Sequence, residues 1–133
     1  MSAEPTRHLD VRLKRAYELP AASDGYRVLI DRLWPRGVSR EHAHLDEWDQ
    51  ALAPSRTLRT WFAHEPDRFN EFRRRYIDEL RGERPRLTEL RRRAREGTVT
   101  LVYSARDSEH NDAVVLAEVL RRGLPAHREG ARS

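Results

Sequence analysis

A chain of 133 residues with 38% hydrophobic and 36% charged content is long enough for one domain with a modest core, and its clustered, periodic apolar residues exclude a disordered chain. The absence of cysteine excludes disulfides, thiolate nucleophiles and zinc–thiolate sites. The formal charge is +4, no apolar stretch approaches a membrane span, and the polar segment from Met1 to Asp10 lacks a signal-peptide core, so a cytoplasmic location is expected with no membrane partner.

In chain order, Val11 to Tyr17 alternates like a first strand, and Pro20 with Ser23-Asp24-Gly25 makes a turn. Tyr26 to Leu33 has the apolar centre of a buried strand. The chain breaks at Trp34-Pro35-Arg36-Gly37, and Ser39 is placed to cap a helix with the stripe Leu45, Trp48 and Leu52. A short helix carries Leu58, Trp61 and Phe62. Pro66 opens the next, with Phe69, Phe72, Tyr76 and Leu80 on one face and Gly82 closing it. Pro85 opens another, bearing Leu87, Leu90 and Ala94, and Gly97 closes that. Thr98 to Tyr103 is the clearest strand of the chain. Ser108 then caps a final helix with Val114, Leu116, Ala117 and Leu120, closed by Gly123.

Two apolar strands separated by helices predict parallel pairing through a helical crossover. The expected fold is α/β: a small, mainly parallel sheet flanked by helices, one domain over residues 10–123 with loose ends at 1–9 and 124–133. The first connection, about eight residues, is short for a parallel crossover, so the first strand is open to an antiparallel placement. Leu29, Trp48, Trp61, Phe72, Leu101 and Leu116 are the expected core.

Ligands of open α/β sheets bind beyond the carboxyl ends of the strands. Those ends are Asp31 to Gly37 and Ser104 to Asn111, both dense in polar groups. Arg32, Arg36 and Arg106 suit a phosphate or carboxylate, and the start of a helix adds backbone donors. Gly37 lets the backbone pass close to a ligand; Ser104 and Asn111 complete the second loop. Asp31 or Asp107 would orient the arginines or act as base, and His110 is the best proton-transfer candidate because its free pKa lies near neutrality. Arg59 and His64 are second-line members. Each also has a structural explanation: an Asp31–Arg32 ion pair, Ser108 as a cap, Asp107 and Glu109 complementing a helix dipole. His42 and His44, two residues apart on a helix, point to different sides and make a poor metal site. No glycine-rich nucleotide loop or glycine-flanked serine elbow is present. No cofactor is indicated.

The 26 basic side chains include a single lysine, Lys14. Between Arg73 and Arg95 ten arginines face Asp78, Glu79, Glu83 and Glu89, a surplus of six. A solvated helical face is the plainer explanation, and a phosphate-contacting footprint the other. The leading function is therefore an anion-binding α/β domain that recognises or acts on a phosphorylated small molecule or nucleic-acid fragment. The rivals are a non-catalytic nucleic-acid-binding module using 73–95 and a protein-interaction domain.

The block Val28-Leu29-Ile30-Asp31-Arg32-Leu33-Trp34-Pro35-Arg36-Gly37 resembles the signature of the YeaO-like proteins, the bacterial group known as domain of unknown function 488. The resemblance continues through Leu52-Ala53-Pro54-Ser55, Trp61-Phe62-Ala63-His64-Glu65-Pro66 and Leu101-Val102-Tyr103-Ser104-Ala105-Arg106-Asp107, and spans about Val11 to Leu120. It implies an α/β fold and no particular reaction. Wider members of the group carry a cysteine-histidine-arginine segment where this chain has His110-Asn111. Any thiol chemistry of theirs does not transfer, and no S-adenosylmethionine loop supports the methyltransferase-like names of some relatives.

Overall fold

The computed structural model describes residues 9–126, so most of both expected loose ends lies outside the described residues. Four strands, β1 (Val11–Arg15), β2 (Tyr26–Leu29), β3 (Glu47–Trp48) and β4 (Val99–Tyr103), form one all-parallel sheet in the order β1-β4-β2-β3. The helices are α1 (Arg40–Ala43), α2 (Arg56–Phe62), α3 (Phe69–Leu80), α4 (Arg84–Glu96) and α5 (Asp112–Arg122). The expected parallel pairing of the two apolar strands is present, with Val28 opposite Leu101 and Leu29 opposite Val102.

The first strand is parallel as well. The last strand lies between the first two, with Val11 opposite Val99 on one side and Tyr26 opposite Val99 on the other. The connection from β1 to β2 therefore never joins neighbours; it returns across one face of β4. Asp24 anchors that return. Its carbonyl accepts from the Thr100 hydroxyl at 2.7 Å, and its carboxylate takes Arg27 at 2.7 Å and Lys14 at 3.0 Å. Gly25 follows at φ 65°, and a Cβ there would meet the Thr98 carbonyl oxygen at 2.3 Å, so glycine alone fits this crossing.

Strand alternation sorts the sheet residues into two faces. Val11, Val28, Val99, Leu101 and Tyr103 join Leu58, Phe72, Tyr76, Leu90, Leu116 and their neighbours from α2 to α5 in the main core. Leu29 and Val102 look the other way, into a small cluster with Ala16, Trp34, Val38, Leu45 and Trp48. Leu29, Phe72, Leu101 and Leu116 are buried as expected, whereas Trp48 and Trp61 are only half-buried.

One expected helix is corrected. The segment after Ser39 is helical only over Arg40–Ala43, ending at His44 with φ 46°. Asp46 then accepts from the Arg27 backbone N–H at 2.8 Å, and the chain runs along β2 as β3. Pairing with the open edge of β2 overrides the helical spacing of Leu45, Trp48 and Leu52. Among the described residues no helix is long and apolar enough to cross a membrane.

Candidate functional site

The parallel register of β2 and β4 brings their carboxyl ends side by side. Asp31, just past β2, reaches to the end of β4, where its Oδ2 accepts from the Ser104 backbone N–H at 2.9 Å and the Ser104 hydroxyl at 2.7 Å. From the far side Arg15 donates to the carbonyls of Ala105, at 2.9 Å, and Ser104, at 3.1 Å. Residues from both neighbouring strands thus fix the start of the loop that leads to α5.

That loop winds on itself. Asp107 Oδ1 accepts from the backbone N–H groups of Glu109 and His110, and Oδ2 lies 2.9 Å from His110 Nδ1. The backbone N–H of Glu109, followed by the imidazole of His110, holds the Asp107 carboxyl below its ordinary value. The turn delays the helix, which correct the expected start at Ser108: the cap is Asn111, whose Oδ1 accepts from Val114 N at 2.9 Å. Asn111 is 2% exposed, and its Nδ2 is taken by the Asp107 carbonyl.

Beside these ends opens a cavity of about 550 Å³, lined by residues of both loops and of α2. Asp31, Ser104, Asn111 and Asp112, the first residue of α5, line it. Enclosure by protein, then the negative charge of Asp31, push Asp112 well above the usual carboxylate range; the nearby backbone N–H groups oppose this more weakly. Asp112 therefore holds its proton more tightly than an ordinary carboxyl.

Three arginines line the same cavity. Arg32 is half-buried and donates to the Pro54 carbonyl at 3.2 and 3.3 Å. Arg36 is exposed; its backbone carbonyl accepts from the Tyr17 hydroxyl. Arg59 lies exposed on α2. Among the described residues, neither the Arg36 nor the Arg59 guanidinium forms a hydrogen bond or salt bridge with a side chain or carbonyl. His64 also lines the cavity, where Ala63 (φ 47°) and His64 (φ 58°) take successive left-handed conformations as the chain leaves α2. Such conformations cost non-glycine residues energy and frequently mark functional segments.

Other expected members stand apart. Gly37 makes an exposed turn at φ 83° and does not line the cavity. Arg106 is exposed and outside it, as is the Asp107–His110 pair, whose imidazole meets Phe69 edge-on at 5.2 Å. Of the residues expected at the two strand ends, Arg36 and Asn111 therefore line the cavity, whereas Arg106 and His110 do not. The self-closing turn around Asp107 accounts for the difference. Sequence reasoning missed Asp112. The signal was present in Asn111-Asp112 directly before Ala113-Val114-Val115-Leu116, a favoured cap with an acid in the first turn.

The arginine-rich helices α3 and α4 are extensively ion-paired. Arg73 pairs with Glu118, Arg74 and Arg75 with Glu71, Arg81 with Asp78, Arg86 with Asp49 and Glu83, Arg92 with Glu89 and Glu96, and Arg93 with Glu89.

A family model described as "Inactive DUF488-N3 subclade" matches residues 10–133. The chain is 41% identical over 113 residues to the uncharacterised protein YeaO of Escherichia coli (strain K12), covering 85% of this chain and 98% of that one. It is 40% identical over 114 residues to the uncharacterised protein Rv3073c of Mycobacterium tuberculosis (strain ATCC 25618 / H37Rv), covering 86% and 96% of the two. No solved structure matches.

Proposed function

We propose that this chain, which belongs to the YeaO-like DUF488 family, uses the cavity at its strand ends as a recognition pocket for a small anionic ligand, with a phosphate group as the favoured anion. One observation carries this reading: two arginines without acidic partners among the described residues, Arg36 and Arg59, line the cavity beside Arg32. Counting Arg32, three guanidinium groups line the cavity against the two carboxyl groups of Asp31 and Asp112. A partly enclosed surplus of this kind is answered by an external anion. Guanidinium geometry suits bidentate contact with phosphate or carboxylate.

Recognition is favoured over turnover. The matched subclade is described as inactive. The histidine offered for proton transfer, His110, is outside the cavity and bonded to Asp107. Within the cavity, Ser104 donates its hydroxyl to Asp31, which positions the loop. The rival nucleic-acid footprint over 73–95 draws less support, because seven of its ten arginines have acidic partners.

Calorimetric titration with inorganic phosphate tests the proposal. The expected result is one site per chain, weakened about tenfold or more by Arg36→Ala and by Arg59→Ala, as loss of a charge-assisted hydrogen bond requires. The melting temperature of both variants should stay near that of the parent. Absence of binding, or binding indifferent to both substitutions, would refute it.

A further inference from the structure

Resting on the anion reading above, we propose that the ligand is a small phosphate monoester whose organic part is apolar, its phosphate meeting Arg36 and Arg59 and its apolar group packing on Tyr17 and Leu33.

The inference starts from hydrocarbon left in water. Among the described residues three large hydrophobic side chains are exposed: Tyr17 at 48%, Leu19 at 84% and Leu33 at 61%. None of them joins the apolar cluster on either face of the sheet. A single exposed leucine is ordinary and needs no explanation. Two of these three, however, line one cavity, and it is the cavity of Arg36 and Arg59. They come from different connections, Tyr17 from the one after β1 and Leu33 from the one after β2. No helix or strand period therefore accounts for their meeting.

The Tyr17 ring is also fixed beside the cationic residues. Its hydroxyl donates to the Arg36 backbone carbonyl at 2.9 Å, and the Arg15 guanidinium lies 4.8 Å from its ring centre. One hydrogen bond thus ties the exposed ring to a residue whose guanidinium has no acidic partner among the described residues. With its proton committed to Arg36, Tyr17 offers a ligand chiefly the hydrocarbon of its ring, and Leu33 offers hydrocarbon alone. A polar organic group set against them would lose its water and gain no partner. An apolar group gains, because its surface and theirs leave water together. Trp34, Pro35 and Pro54 line the same cavity and enlarge its apolar share. A volume of about 550 Å³ lies within the range of small-molecule sites and holds a ring-sized ester.

The test titrates inorganic phosphate, methyl phosphate and phenyl phosphate into the full chain, under conditions in which both esters are dianions. Phenyl phosphate should bind about tenfold tighter than methyl phosphate, a difference of about 1.4 kcal/mol that burial of roughly 55 Å² of apolar surface supplies. Leu33→Ser and Tyr17→Ser should each lower that ratio about threefold. Leu19→Ser, at an exposed residue outside the cavity, should leave the ratio as it is in the parent. If the Tyr17 variant does not fold, the exposed Leu33 decides. Equal affinity for the two esters, with inorganic phosphate still bound, overturns this inference and leaves the anion reading standing. A ratio lowered as much by Leu19→Ser as by Leu33→Ser also overturns it, since binding would then follow exposed hydrocarbon anywhere on the surface. No binding of any of the three phosphates overturns both.

Discussion

The two faces of the sheet are held by different physics. On the helical face, Val28, Val99 and Leu101 disappear under apolar side chains of four helices, and burial of hydrocarbon dominates. On the opposite face, Leu29 and Val102 have a few aromatic and aliphatic neighbours, and beside them lies a charged network of Arg27, Asp24 and Lys14. Arg27 is 4% exposed and donates to the carbonyls of Ala43 and His44 as well as to Asp24, so one guanidinium ties two connections to the sheet. Arg40 covers the rim, its guanidinium 4.1 Å from the Trp34 ring centre and 5.4 Å from that of Trp48. A sheet needs both faces covered, but only one needs helices. Loops suffice on the other when buried ion pairs satisfy their backbone.

Substitutions on the two faces should break this contrast or sharpen it. Leu101→Ala, at the centre of the helical face and fully buried, should cost about 4 kcal/mol in a reversible denaturant melt. A loss under about 1 kcal/mol would make β4 peripheral. Arg27→Ala should cost about 3 kcal/mol, because it removes a buried charge partner from the Asp24 carboxylate, leaving it Lys14 and the Ala21 N–H, and strips two carbonyls of their donor. Replacing Arg27 by methionine and Asp24 by leucine together should recover part of that cost. If the single change is neutral, the loop face is held by its aromatics alone.

The pocket between the faces gives a subtler prediction. Asp112 is raised in the folded protein, so the native state binds its proton more tightly than the unfolded chain does. The sign follows: its influence is absent below the ordinary value near 3.8 and becomes destabilising as pH rises from there through the raised folded value. Asp112→Asn should remove this slope, so the variant gains stability relative to the parent with increasing pH over that window. Parallel stability curves would show that Asp112 ionises normally. The smallest effect belongs to the arginine run of α4, where Arg92 is exposed and Arg91 and Arg93 are half-buried. Arg91, Arg92 and Arg93 changed together to glutamine should leave the melting temperature nearly unchanged, because surface pairs such as Arg92 with Glu89 and Glu96 contribute little. A large drop would show that the stacking of Arg93 on the Tyr26 ring is structural.

Much of the helical face was legible because its signal is local. The runs in β2 and β4 and the spacing of Phe69, Phe72, Tyr76 and Leu80 each declare an element within a few residues. The loop face was not, because its order depends on distant partners. The two residues of β3 exist as a strand only because β2 leaves an edge open, and the parallel placement of β1 depends on a strand that arrives some eighty-five residues later. The site was half legible. Asp31, Arg36, Arg59, His64, Ser104 and Asn111 do line the cavity, since strand ends could be located. Arg106 and His110 do not, since the direction of their turn is set by Asp107. Asp112 stayed hidden for a chemical reason: an acid in the first turn of a helix reads as a dipole partner, and only its encounter with Asp31 makes it something else.

The position of β4 between β1 and β2 also dictates when this protein acquires its shape. Among the described residues, each of the first two strands takes β4 as its partner, and β2 otherwise pairs only with the two residues of β3. A chain emerging from the ribosome can form nascent helices early, but it has no sheet for them to cover until Val99 to Tyr103 has been made. Assembly is thus postponed until β4 has been made, and it proceeds through contacts of large sequence separation, which are slow to close. Until then the apolar stripes of α2, α3 and α4 have no sheet to rest on, and the growing polypeptide is most exposed to aggregation and to chaperones just before its final strand appears.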